Sequence, residues 1–190
     1  GDQSIRYWRD RKIYEYGLRN ADLIVAQSEQ QRRLLRRHYG LDSTLLNMAV
    51  EIPRETARTH DIDVLWVANF RPVKRPDLVF ELARRLPHVR FTMAGGGLPA
   101  TEDYYRDMML LSKRFPNVQC LGPVPYASVG DLFTRAKVFL NTSSIEGFPN
   151  TFLQAWVRGV PVATFFDPDG LVKRRELGRA VGSVDEMAAA

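Results

Sequence analysis

Hydrophobic and polar positions follow two different rhythms along the chain. Short apolar or β-branched runs, typical of buried strands, occur at 22–27, 62–68, 89–95, 117–122, 137–143 and 160–166. Between them, apolar residues recur at helical spacing and predict helices near 4–19, 29–39, 75–86, 102–115, 128–136 and 150–158. Because strands alternate with helices, we expect a doubly wound, Rossmann-like α/β fold: a parallel sheet flanked by helices, with ligands at the carboxyl ends of its strands.

One polar segment divides this pattern into two unequal parts. Residues 52–61 contain a proline and many polar groups without apolar periodicity, which predicts a linker. The preceding part, 1–51, is a helix-strand-helix segment and too little for a domain, whereas 62–190 contains five predicted strands. Near the end of the chain Ser183 and Glu186 have capping-box spacing, so a helix begins there shortly before the chain stops. We expect a fragment of a longer protein.

The charge of the chain suits an anionic partner. There are 27 Lys and Arg residues against 22 Asp and Glu residues, a net charge of +5. The densest basic stretch is the predicted helix 29–39, which we interpret as a solvated face, with peripheral membrane contact as the alternative. No nucleic-acid-binding motif accompanies its arginines. No apolar run approaches the roughly 18 residues that span a bilayer, and we expect a cytoplasmic protein.

Metal-binding and disulfide chemistry receive little support from the sequence. Cys120 is the one cysteine, and the three histidines are scattered without ligand spacing. The Asp-Pro-Asp-Gly stretch at 167–170 has the residues of a type I turn, with proline second and glycine fourth. We therefore expect no bound metal.

Two predicted strands run into loops that could contact phosphate groups. Three glycines at 95–97 let a backbone approach an anion or close a tight turn, although their spacing is not G-x-G-x-x-G. The loop 68–77 places Arg71, Lys74 and Arg75 between a strand and a helix. Cations at such a place bind phosphates, but a single basic loop is more often only solvated, and the interpretation needs a second loop facing it.

The stretch IEGFPNTFLQAWVRGVPV at 145–162 provides that second loop. Glu146 follows a strand, and the amides of Gly147 and Phe148 precede a predicted helix on which Asn150 and Gln154 share a face with Arg158. A carboxylate that accepts from sugar hydroxyls and amides that donate to a diphosphate suit a nucleotide sugar. The plainer alternative is a capped helix with an incidental glutamate.

These stretches resemble the retaining glycosyltransferases of family 4, which have the two-domain GT-B fold. SSIEGFPNTFLQAWVRGVPV is similar to their signature of two acidic positions followed by a helix, a glycine and a strand. LWVANFRPVKRPDLVFELARRL, RFTMAGGG and NVQCLGPVP occur in the family's order and spacing, and the resemblance covers about 20–190. It implies that 62–190 is a truncated donor-binding domain, the C-terminal half of the GT-B fold, and that 1–51 is the last segment of the acceptor domain.

The resemblance also assigns roles to residues. It implies that Lys74 contacts the donor diphosphate and Glu146 the hydroxyls of the donor sugar, as the two catalytic residues. The remaining donor-binding positions it implies are Asn69, Arg71, Gly95, Gly96, Leu121, Gly122, Pro123, Gly147, Phe148, Asn150, Thr151 and Gln154. The chain departs from the family pattern twice: many relatives have an arginine at the position of Asn69, and the second acidic position is Gln154.

The activity implied by the resemblance is transfer of a hexose from a UDP- or GDP-sugar to a glycan or lipid-linked acceptor in polysaccharide biosynthesis, with retention of configuration. It implies no cofactor or metal, places any general acid or base outside this chain, and makes the fragment inactive alone. Because Asn69 and Gln154 depart from the pattern, a non-catalytic nucleotide-sugar-binding or regulatory module remains the main alternative. A mutase or epimerase on a similar fold is a weaker third.

Overall fold

The computed structural model describes residues 7–53 and 59–189. It divides into two compact units, 1–48 and 49–190. Part of the predicted linker, residues 54–58, lies outside the described residues, as does the predicted beginning of the first helix. The assignment of the two parts of the chain to an acceptor and a donor domain stays a prediction.

The first unit contains helix α1 (Trp8–Arg19), strand β1 (Val25–Ala26), helix α2 (Glu29–Tyr39) and strand β2 (Thr44–Leu45). The two strands pair in parallel. Strand β2 was not predicted, because two residues are too few to show a period. In the described part of the chain, no helix is long and apolar enough to cross a membrane. Contact of the basic helix α2 with a membrane surface stays a prediction.

The second unit is a parallel sheet flanked by helices, as predicted. Its strands are β3 (Ile62–Val67), β4 (Phe91–Ala94), β5 (Val118–Cys120), β6 (Ala136–Asn141), β7 (Val162–Thr164) and β8 (Gly178–Ala180). Its helices are α3 (Asp77–Arg85), α4 (Glu102–Ser112), α5 (Tyr126–Arg135), α6 (Asn150–Trp156), α7 (Leu171–Arg174) and α8 (Val184–Ala189). The strand order β5-β4-β3-β6-β7-β8, with every pair parallel, is the Rossmann order.

Strand β8 was missed by the sequence pattern, which predicted five strands in this unit. Its three residues, Gly-Arg-Ala, carry no apolar alternation. The strand pairs with β7, where Val162 donates to the Leu177 carbonyl and Val181 donates to the Thr164 carbonyl. The helix predicted after it is confirmed: the Ser183 hydroxyl accepts from the Glu186 amide at 3.1 Å, and the Glu186 carboxylate accepts from Gly182.

Apolar residues bury both faces of the sheet. Successive side chains of a strand point to opposite faces, so Leu65 of β3 packs in one cluster and Trp66 in the other. The first cluster packs β3, β6 and β7 against α5, α6 and α7, and the second packs the sheet against α3, α4 and α8. In parallel sheets covered by helices on both faces, ligands bind at the loops that follow the carboxyl ends of the strands.

Ion pairs join three strands at their amino ends. The Asp63 side chain, 19% exposed, accepts from Arg90 at 3.0 Å and from Lys137 at 2.7 Å. Hydrogen bonds from Arg90, which has the larger effect, and from Lys137 lower the pKa of Asp63 to about 2. This pKa is below the value of about 3.9 expected in the unfolded chain, so the pairs stabilise the fold at neutral pH.

We expect Asp63→Asn to lower the free energy of unfolding by about 1 kcal/mol at pH 7. Because a depressed carboxyl pKa contributes stability only where the group is ionised, the difference from the parent should shrink as pH falls from about 4 toward 2. Urea midpoints measured from pH 7 to pH 3 check this. Asp185→Asn, at a side chain 89% exposed, is the control. A difference that stays constant down to pH 3 contradicts the role of Asp63.

Candidate functional site

The candidate site lies where the strand order reverses. Strand β3 pairs with β4 on one side and with β6 on the other. Because all these strands are parallel, the loop after β3 (68–76) and the loop after β6 (142–149) leave the same edge of the sheet. In open α/β sheets, ligands bind in the crevice at this point.

The loop after β3 contains a tight turn that ends at Lys74. Residues Pro72–Lys74 form a short 3₁₀ helix, in which the Lys74 amide donates to the Arg71 carbonyl at 2.9 Å. Arg75 follows in the left-handed region at φ +49°, and its guanidinium is held on both carboxylate oxygens of Asp77. Arg75 therefore turns the chain into α3 while its own charge is neutralised by Asp77.

Buried hydrogen bonds attach the loop after β6 to the loop after β3. Thr142, only 1% exposed, accepts from Trp66 Nε1 at 2.9 Å and donates to the Lys74 carbonyl at 2.7 Å. The Ser144 amide and hydroxyl both donate to the Val73 carbonyl, at 2.9 and 3.2 Å. The two loops therefore form one hydrogen-bonded unit in which the backbone of Lys74 is fixed.

Lys74 and Glu146, 72 positions apart in sequence, meet across these loops. Lys74 Nζ lies 2.7 Å from Glu146 Oε1, with side chains 24% and 11% exposed. Asn141 Nδ2 donates to the same oxygen at 3.3 Å. Glu146 Oε2 accepts no hydrogen bond from the described residues. The carboxylate is thus held at one oxygen, and the other is available to a ligand.

Several backbone amides beside Glu146 are also available. The amides of Gly147, Phe148, Asn150 and Thr151 donate no hydrogen bond to another described residue. Phe152 is fully buried and Trp156 packs against it, as predicted for the core side of this helix, although Trp156 is only partly buried.

The predicted polar face of α6 is only partly correct. The helix ends at Trp156, so Arg158 does not continue the face of Asn150 and Gln154. Arg158 instead donates to the Gln154 carbonyl at 3.1 Å and packs over Gly130 of α5, where an added Cβ would lie 2.6 Å from its guanidinium. The Gln154 side chain is partly buried and makes no hydrogen bond to the described part of the chain.

The other predicted donor-binding residues lie at the carboxyl ends of β3, β4 and β5. Asn69, Arg71, Leu121 and Pro123 are exposed there. The glycine run is closely packed against these loops: Gly95 donates to the Gly122 carbonyl, and Gly96 accepts from the Phe70 amide. Residues 95–97 form no tight turn, so that interpretation of the glycines is wrong, and their contact with a ligand stays a prediction.

The Asp-Pro-Asp-Gly stretch forms a turn but not the predicted type I turn. Gly170 donates to the Asp167 carbonyl at 3.3 Å, which closes the turn. Asp169 has φ +52°, whereas the third residue of a type I turn has φ near about −90°. The Asp167 carboxylate accepts from the Val172 amide at 2.8 Å and so caps α7. Within 7–53 and 59–189, no three His, Cys, Asp or Glu side chains group as a metal site.

A cavity of about 1,040 Å³ lies elsewhere in the second unit. It is lined by apolar residues of α3, α8 and β6, and Asp63 and Lys137 lie at its rim. Asp63 and Lys137 pair with each other at 2.7 Å, and Lys173, Glu176 and Arg179 also line the cavity.

Three residues of the site were missed in the sequence: Trp66, Asn141 and Thr142. The signal present was the polar stretch Asn-Thr-Ser-Ser, which follows an apolar run at the point where a parallel strand ends. Its partners could not be found, because Trp66 and Thr142 are 76 positions apart.

Comparison with solved structures supports the fold. Sucrose-phosphate synthase from Thermosynechococcus elongatus is 20% identical, with a TM-score of 0.81 over 100% of this chain and 53% of that one. Anabaena Alr3699/HepE, solved in complex with UDP, is 18% identical with a TM-score of 0.79, over 100% of this chain and 58% of that one. At these identities the likeness shows a shared fold and no more.

The family of the chain is shown by a sequence profile that matches more than half of it. The D-inositol 3-phosphate glycosyltransferase of Mycolicibacterium paratuberculosis is 28% identical over 172 residues, which cover 86% of this chain and 38% of the relative. The chain thus spans about two fifths of the length of that relative. Residues 49–171, which contain both loops of the candidate site, match the profile of the glycosyl transferases group 1. With the Rossmann order and the pair of loops that carries Lys74 and Glu146, this match means that the chain belongs to the glycosyl transferases group 1 family.

Proposed function

We propose that this chain is the donor-binding part of a retaining glycosyltransferase that transfers a hexose from a nucleotide-diphosphate sugar to a glycan or lipid-linked acceptor. The observation that carries the proposal is the partly buried pair of Lys74 and Glu146 at the switch point of the sheet. A cation and a carboxylate side by side match a donor in which a diphosphate is bonded directly to a sugar.

The two side chains have complementary tasks in this proposal. Lys74 donates to the diphosphate, and Glu146 accepts from hydroxyls of the sugar, for which its Oε2 is available. As the bond between the sugar and the phosphate opens, negative charge grows on the departing diphosphate. Lys74 and the amides of Gly147 and Phe148 then bind the leaving group more strongly than the intact donor, which lowers the barrier.

The nucleoside end of the donor is proposed to lie along the carboxyl ends of β4 and β5. Leu121, Gly122 and Pro123 would contact the base there, and Gln154 would receive the ribose hydroxyls. The complex of the structural neighbour HepE with UDP supports a uridine nucleotide as the first ligand to test.

A nucleotide-sugar-binding module without transferase activity is the second candidate. Asn69 and Gln154 favour it, because both are uncharged where the family pattern has charged residues. Product analysis with the full-length protein separates the two candidates: a transferred sugar establishes the enzyme, and donor binding without product establishes the module.

The proposal is tested by titrating the 190-residue chain with UDP-, GDP- and ADP-sugars, with and without EDTA. We expect one of these nucleotide series to bind, with the same affinity in EDTA, because no metal is part of the proposed site. Absence of binding by every nucleotide diphosphate up to millimolar concentration contradicts the proposal. A large loss of affinity in EDTA that magnesium or manganese restores contradicts the metal-free site.

Gln154→Ala is expected to weaken binding of UDP by about fivefold, because the ribose hydroxyls lose a neutral hydrogen-bond partner worth about 1 kcal/mol. Gln154→Glu should change the affinity less, since a carboxylate also accepts from hydroxyls. Dissociation constants for UDP and 2′-deoxy-UDP check the assignment. The deoxy form, which keeps only the 3′-hydroxyl, is expected to lose less affinity than UDP in Gln154→Ala. If Gln154→Ala binds UDP as tightly as the parent does, Gln154 is not at the ribose.

A further inference from the structure

We propose that Asn141 is a positioning residue that keeps the Glu146 carboxylate in place when a diphosphate draws Lys74 away from it. The inference rests on the proposed function, because it concerns how the same site passes from its empty to its occupied state. In the empty site, Lys74 donates to Glu146 Oε1 at 2.7 Å. A diphosphate at Lys74 competes for that charge, and the carboxylate then loses its cation.

Asn141 is built to hold the carboxylate without Lys74. It is the last residue of β6 and is 6% exposed. Its Oδ1 accepts from the Ser143 amide at 3.1 Å, which sets the amide so that Nδ2 faces Glu146. Nδ2 donates to Oε1 at 3.3 Å, the same oxygen that Lys74 binds. A hydrogen bond from a buried strand end therefore persists after the cation has moved.

The shared oxygen has a consequence for ligand binding. Because Asn141 and Lys74 both bind Oε1, Oε2 keeps its direction in either state and can accept from a sugar hydroxyl. Without Asn141, a partly buried carboxylate that has lost Lys74 would be free to rotate. The sugar portion of the donor should then bind less well, while the diphosphate itself should be unaffected.

The test compares UDP with the UDP-sugar that binds the parent chain most tightly among UDP-glucose, UDP-galactose and UDP-N-acetylglucosamine. In Asn141→Asp the side chain keeps its size and its acceptor for Ser143 but has no amide donor for Glu146. We expect the preference for the UDP-sugar over UDP to fall by about fivefold. Because Asn141→Asp also adds a negative charge that repels the diphosphate, the neutral Asn141→Ala is the second variant and should show the same fall in preference, with the affinity for UDP within about twofold of the parent. Asn141→Gln, which keeps the amide donor on a longer side chain, should recover part of the preference.

Asn117→Asp is the matched control for a buried asparagine with a purely structural role. Its side-chain amide donates to the carbonyls of Ala83, Leu86 and Val89, away from the candidate site. We expect this variant to lower the melting temperature and leave the ratio of the two affinities as in the parent. If Asn141→Asp behaves in the same way, its role is structural and the inference is wrong.

Two further measurements separate this inference from the proposed function. Glu146→Gln should lose the preference for the UDP-sugar; if it does while Asn141→Asp does not, positioning by Asn141 is refuted and the proposed function stands. If the parent chain binds no nucleotide diphosphate, or binds each UDP-sugar no more tightly than UDP, both the inference and the proposed function fail. Because Asn141→Asp could fold poorly, exchange of the Asn141 side-chain amide protons is also measured by NMR in the parent. Protection that persists at saturating UDP supports the inference, and loss of protection overturns it.

Discussion

Lys74→Ala is expected to weaken UDP binding by about 10- to 100-fold, the equivalent of roughly 1.5–3 kcal/mol for a charge-assisted hydrogen bond. The loss has two sources. The diphosphate loses its cation, and Glu146, whose side chain is 11% exposed, is left as an uncompensated carboxylate beside it. Calorimetric titration with UDP and with uridine checks the prediction, since uridine carries no phosphate and should bind both proteins equally.

Lys137→Ala is the matched control for Lys74→Ala. Lys137 also lies 2.7 Å from a carboxylate oxygen, that of Asp63, but at the amino ends of the strands. This variant should cost stability without changing the affinity for UDP. The double variant Lys74→Ala, Glu146→Gln should recover part of the lost affinity, because it removes the repulsion. Equal losses for UDP and uridine in Lys74→Ala would mean that Lys74 does not contact the diphosphate.

Gly95→Ala is expected to destabilise the chain by about 3–5 kcal/mol, from a steric clash and backbone strain together. Gly95 has φ +147°, and an added Cβ would lie 1.8 Å from the Ala68 carbonyl oxygen. Relief would have to move backbone, because the clashing atom belongs to the main chain after β3. Thermal unfolding checks this, with a fall in the midpoint of roughly 10 °C expected for a chain of this size.

Gly170→Ala separates the clash from the strain. Gly170 has φ +69°, and an added Cβ would meet nothing within 4 Å. Its substitution should therefore cost only the left-handed conformation, about 1–2 kcal/mol. Midpoints that fall equally in both variants would show that the contact between Gly95 and Ala68 carries no cost.

The class of fold could be predicted because its signal is local. Strands β3, β4, β6 and β7 are mostly apolar, since both faces of a parallel sheet are buried. The helix 77–85 shows the helical period because one of its faces is buried against the sheet. β8 was missed because it stays in the sheet through Gly178 and backbone hydrogen bonds, which leave no apolar pattern.

The residues of the candidate site likewise fall into those that could be predicted from the sequence and those that could not. Lys74 and Glu146 could be chosen from the sequence, because each stands in a polar loop directly after a predicted strand, and their resemblance to a family placed both at a donor. The hydrogen bonds of Thr142 with Trp66 and with the Lys74 carbonyl could not be predicted from the sequence. Each partner lies about 70 positions away from Thr142, in an apolar or a basic stretch. The predicted type of the turn at 167–170 was also wrong. Proline in the second position and glycine in the fourth do not set the backbone angles of the third residue, Asp169.

The sequence by itself determined the parallel α/β architecture and the two loops that carry charge, because apolar periodicity and strand ends are properties of neighbouring residues. Only the tertiary structure decided that strand order reverses between β3 and β6, and it is this reversal that brings the two loops to one edge. It also decided that Lys74 and Asn141 donate to the same carboxylate oxygen, Oε1 of Glu146. Such convergence depends on the register of strands far apart in the chain, which no local pattern encodes.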